Sequence, residues 1–111
     1  MKKLLSALLM VPAMARAEFL TGNELYQKLT STDHGDRMYA MGFVVGAYDI
    51  GVHVFFCPRT EQGITVGQVQ DIVRNYMAAN PGQRNRTAEF MVREAFKEIW
   101  PCQNRAPGRG A

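Results

Sequence analysis

The chain is poor in the residues that metal and nucleophile chemistry draw on: of its 111 residues, two are histidine and two are cysteine. Zinc ordinarily takes three or four protein ligands, and His34 and His53 stand in separate segments. No glycine-rich phosphate loop, nucleophile elbow or dinucleotide fingerprint occurs. Strand-like alternation is weak and no long repeat exists, which argues against sheet and solenoid architectures. The apolar run near the start is roughly 8 to 10 residues, too short for a bilayer that needs about 20. These absences leave a binding or structural module with no metal and no cofactor, not an enzyme.

What is present begins with an address. Lys2 and Lys3 form a charged start, Leu4 to Val11 an apolar run, and Ala15-Arg16-Ala17 a small-x-small site. That order is the layout of a secretory signal peptide over residues 1–17, cut before Glu18. No cysteine follows the cut to invite a lipid anchor, so the expected product is an exported, soluble, periplasmic chain. The sequence holds 13 Lys plus Arg against 10 Asp plus Glu, a formal +3. Lys2, Lys3 and Arg16 belong to the leader, so 10 basic residues face 10 acidic ones after cleavage. A neutral domain carries no general nucleic-acid footprint.

The remaining 94 or so residues suit one small domain, for which a disulfide is a useful addition. Two thiols in an exported chain form one bridge, Cys57 to Cys102. Capping signals and breakers mark four helices. Thr21 and Glu24 form a capping box with Leu20 and Leu25 as its staple; Thr65 and Gln68, with Ile64 and Val69, repeat the device. The first helix ends near Ser31. The second runs from about Asp36 to Phe56 and is apolar nearly all round, so it belongs in the middle of a bundle. The third carries Val66, Val69, Ile72, Val73, Tyr76 and Met77 as a stripe and stops at Asn80-Pro81-Gly82. The fourth spans about Ala88 to Trp100, with Ile99 among its inward residues and Phe90 out of pattern on its polar face. Residues 18–102 then form an all-α, four-helix bundle stapled by one disulfide, and 103–111, rich in Gly, Arg and Pro, a disordered tail.

Two features of the second helix invite a functional reading. Asp49, His53 and Cys57 are four apart, on one helical face, and carboxylate, imidazole and thiol in that order could make a cysteine nucleophile. A disulfide between Cys57 and Cys102 removes the thiol, so a buried Asp49–His53 hydrogen bond fixing helix packing is preferred. Gly42 and Gly46 form a flat strip for close helix approach, read as packing inside the bundle ahead of a dimer seam.

One order of residues goes further. Gly42-Phe43-Val44-Val45-Gly46-Ala47-Tyr48-Asp49, then Cys57-Pro58, Gly63-Ile64-Thr65-Val66-Gly67-Gln68 and Trp100-Pro101-Cys102 resembles the Rap/Tai family of type VI secretion immunity proteins. The resemblance implies a periplasmic helical protein, often a homodimer, that binds a peptidoglycan amidase effector and occludes its active site with a protruding loop. Candidate blocking loops are Pro58 to Gly63 and Pro81 to Thr87, where Arg59, Glu61, Gln83, Arg84 and Arg86 offer polar contacts. Phe90 is a further candidate partner contact. The alternative from the residues themselves is an envelope-stress or acid chaperone, with Asp49 and His53 as its pH trigger.

Overall fold

The computed structural model describes residues 19–59 and 63–103. The proposed leader, Glu61 and the tail beyond Gln103 lie outside the described residues. Four helices follow in order: α1 (Gly22–Leu29), α2 (His34–Gly51), α3 (Val66–Ala79) and α4 (Ala88–Ile99), with one 3-10 turn at Pro81–Gln83 before α4. The all-α bundle read from the sequence is the fold.

Each helix begins where a side chain can satisfy its first free N–H groups. Glu24 N–H donates to Thr21 Oγ1 (3.1 Å) and Thr21 N–H to Glu24 Oε1 (2.9 Å). The same reciprocal pair joins Gln68 and Thr65 at 3.0 and 2.8 Å. Asp33 caps α2 through Asp36 N–H (2.9 Å), and the helix starts at His34, two residues ahead of the expected start. Thr87 caps α4 through Phe90 N–H (3.2 Å). Replacing any one cap by alanine costs about 1 kcal/mol.

The helices pack on one another pairwise, with α4 against all three others. Ala88, Met91, Val92, Ala95 and Phe96 of α4 are buried, and Leu25, Val44, Phe56, Val73 and Met77 meet them in one core. Burial of a side chain of Leu or Phe size stabilises by about 1.5–3 kcal/mol, so this cluster is what α1, too short to be helical alone, folds against. Ile99 departs from the expected pattern and is half exposed.

The second helix departs further. It ends at Gly51 rather than Phe56. Val52 is extended, and His53 takes a left-handed φ of 65°. The chain then reverses so that Phe56 enters the core, its ring tilted against Phe96 at 4.8 Å and against Tyr48 at 5.5 Å, centroid to centroid. A continued helix could not do this, because it would carry Phe56 along the axis past the end of the bundle. Cys57 follows at once: its N–H donates to the Trp100 carbonyl (2.8 Å) and its sulfur is bonded to Cys102. The bridge thus joins the turn after α2 to the end of α4.

Candidate functional site

The early end of α2 dissolves the Asp49, His53, Cys57 alignment. Asp49 is on the helix, His53 lies beyond it in the turn, and both are exposed. The preferred buried Asp49–His53 hydrogen bond is therefore absent, and Cys57 is held in the disulfide. Spacing by four has meaning only where the helix persists. Among the described residues no group of three His, Cys, Asp or Glu side chains is placed to hold a metal ion.

The polar connection between α3 and α4 is clamped rather than loose. Gly22 N–H donates to the Arg86 carbonyl (2.7 Å) and Asn23 N–H to the Arg84 carbonyl (2.8 Å), so the loop supplies acceptors to the start of α1. Thr21 and Thr87 pair as an antiparallel bridge, and Ala88 N–H donates to the Leu20 carbonyl (2.7 Å). Gly22 is required here: a Cβ would lie 2.8 Å from the Arg84 carbonyl oxygen.

The side chains of this loop divide into two kinds. Arg84 is half-buried, with its guanidinium 4.1 Å over the Tyr26 ring and its Nε donating to the Met77 carbonyl at the end of α3 (3.0 Å). It holds the loop in place. Gln83 and Arg86 are exposed, and Arg86 lies 4.2 Å over the ring of Phe90. Phe90 is half-buried against the core rather than standing alone on the polar face. On the other connection Arg59 is exposed beside the disulfide, where it borders an open depression with Pro58, Pro101 and Gln103.

The glycine strip of α2 lies on the surface, not inside the bundle as its spacing suggests. Ala40, Val44 and Gly51 of α2 face the core, whereas Tyr39, Gly42, Phe43, Gly46 and Ile50 recur at helical spacing on another side. A Cβ at Gly42 or Gly46 would meet nothing within 4 Å, so the glycine strip opens outward. With Phe19, Leu20 and Ala47 it forms the floor of an open groove of about 630 Å³ edged by Thr87 and Glu89. Ile50 and Phe19 are 77% and 76% exposed. The signal was in the sequence as a helix with two apolar stripes; which stripe the chain itself covers was not.

Main-chain clamps, a disulfide and an uncovered apolar face describe the class: a small disulfide-stapled helical bundle with an open apolar groove. The model of the Rap1a immunity proteins matches residues 21–102, and the chain belongs to that family. The match runs from the α1 cap to the second cysteine of the bridge, and so takes in every helix. A search of curated proteins gives no match. Membership makes the chain an immunity protein, which acts by binding a cognate effector.

Proposed function

We propose that the chain is a periplasmic immunity protein that binds a peptidoglycan amidase effector of a type VI secretion system and blocks its active site. The observation that carries this reading is the family match across the whole bundle. The clamped α3–α4 connection supports it, since Gln83 and Arg86 project from a backbone that four hydrogen bonds and a stacked Arg84 hold still. A contact presented without loss of loop freedom binds at lower entropic cost. Arg59 and Glu61 on the other connection, and Phe90 beneath Arg86, complete the proposed contact set.

The protein acts as a homodimer, with the outer stripe of α2 as its seam. Gly42 and Gly46 let a second helix approach closely, and a stripe crossed by its own copy about a two-fold axis is self-complementary. The near-neutral mature charge adds no net repulsion. The chaperone alternative gains nothing from Asp49 and His53, which are both at the surface.

Co-expression of the mature chain with candidate peptidoglycan amidases tests the reading. A stable complex in which peptidoglycan hydrolysis stops is the expected result. An amidase that remains active in the complex, or no complex with any effector, would overturn it.

A further inference from the structure

The starts of α1 and α4 exchange main-chain partners. The first two free N–H groups of α1, at Gly22 and Asn23, donate to the Arg86 and Arg84 carbonyls (2.7 and 2.8 Å), and the next, at Glu24, donates to Thr21 Oγ1. The first N–H of α4, at Ala88, goes the other way, to the Leu20 carbonyl (2.7 Å). Thr87 serves both sides: it caps α4 through Phe90 N–H and pairs with Thr21. Residues 20–23 and 84–88 are thus one antiparallel stitch, and neither side can leave without stripping a helix start of its acceptors. A helix start at the surface is ordinarily satisfied by its cap and by water. The α1 start has a full capping box and still takes two carbonyls from the α3–α4 connection.

Gly22 is the residue that permits the close approach. It is buried, and a Cβ there would lie 3.1 Å from both Arg84 Cα and Met91 Cγ, besides its clash with the Arg84 carbonyl oxygen. Arg84 cannot retreat without breaking the bond from its Nε to the Met77 carbonyl and its stack on Tyr26. A side chain at 22 therefore forces the segment that carries Gln83 and Arg86 away from α1.

We propose that Gly22 is a positioning residue for effector inhibition: the start of α1 sets the pose of the α3–α4 connection, and with it the placement of Gln83 and Arg86, without itself touching the effector. The inference rests on the reading that this connection contacts the effector. What α1 supplies is order before binding; a connection released from it must be ordered in the complex instead, at a cost in affinity.

The test compares inhibition of a purified amidase that the wild-type mature chain inhibits with urea unfolding of each variant. Gly22→Ala should weaken inhibition by about tenfold or more. Asn23→Pro removes the N–H given to Arg84 at a first-turn position that tolerates proline, and should weaken inhibition too. Its side chain lies at the surface, so it decides the matter if Gly22→Ala does not fold. Gly51→Ala, overpacked at the far end of α2, should inhibit as the wild type does although it is destabilised as well. Amide exchange of free Gly22→Ala should show the Asn23 and Ala88 N–H groups losing far more protection than those of Val73 and Phe96. Unchanged protection at Ala88, or inhibition by Gly51→Ala as weak as that by the stitch variants, would overturn the positioning role. Arg86→Ala separates the remaining failures. If it weakens inhibition and the stitch variants do not, the positioning role falls and the contact stands; if none of them weakens it, the contact falls as well. Failure of the wild-type chain to inhibit any amidase would overturn both.

Discussion

Gly51 and Phe56 fit against each other so closely that a Cβ on the glycine would lie 2.7 Å from Phe56 Cε1. That contact sets where α2 stops and lets the chain turn back into the core. Gly51→Ala should therefore destabilise the protein by about 1–3 kcal/mol, as overpacking of a filled site does. Urea unfolding monitored by circular dichroism measures it; a variant as stable as wild type would show that Phe56 moves aside freely.

The same substitution has the opposite sign five and nine residues earlier. Gly42 and Gly46 have open space where a Cβ would go, so Gly42→Ala and Gly46→Ala should each stabilise the folded monomer by about 1 kcal/mol through helix propensity. Gly46→Leu should keep the helix and separate the proposed dimer, giving a monomer in sedimentation velocity. A stable dimer in that variant would place the seam elsewhere.

Arg84 and Arg86 are separated by one residue and should respond differently. Arg84→Met removes both the bond to the Met77 carbonyl and the stack on Tyr26, with an expected loss of about 1–2 kcal/mol in stability. Arg86→Ala should change stability by less than about 0.5 kcal/mol and weaken effector inhibition instead. Thermal unfolding beside an inhibition assay of each variant separates the two roles.

The Cys57–Cys102 bridge closes a long loop, with 45 residues of separation. Replacement of both cysteines by alanine should cost about 2–4 kcal/mol, read as a Tm lower by about 10 °C or more for a domain this small. A Tm within a few degrees of wild type would mean that helix packing alone fixes the ends of α2 and α4.

Two tyrosines predict an alkaline limit. Burial, then the neighbouring Asp49 carboxylate, raises the Tyr48 phenol above its ordinary value. Burial, then Glu94 and Glu98, raises Tyr76 against an opposing effect of Arg86. The folded protein thus holds both protons more tightly than the unfolded chain does. Their contribution is whole below the unfolded value of about 10 and declines as pH rises beyond it. Urea midpoints measured upward from neutral pH should fall above pH about 10, and less steeply in Tyr48→Phe and Tyr76→Phe. A fall of equal steepness in these variants would assign the alkaline loss to other groups.

Much of this fold is written locally. The pairs Thr21 with Glu24 and Thr65 with Gln68 satisfy their own helix starts, so they can be read without knowing the partner helices. The end of α2 is not local: Val52 to Phe56 continue the apolar run, and only the demand of the core for Phe56 breaks the helix at Gly51. The Asp49–His53 pairing failed with it, because its geometry was borrowed from helix that does not form. The outer stripe of α2 was legible as apolar residues at helical spacing, yet coverage by the same chain or by another is a property of the tertiary structure. Phe90 looked exposed among charges, and its half-buried seat beneath Arg86 depends on the loop that precedes α4. In the α3–α4 connection the sequence shows two arginines of equal standing; their division into anchor and exposed contact requires the positions of Tyr26 and Met77.

The bonds that hold that connection to α1 come from the carbonyls of Arg84 and Arg86, not from the side chains at 83, 85 and 86. Amino-acid changes at those three positions leave the acceptors where they are. The side chains on this edge of the molecule are therefore free to vary residue by residue, with the bundle beneath them inherited intact.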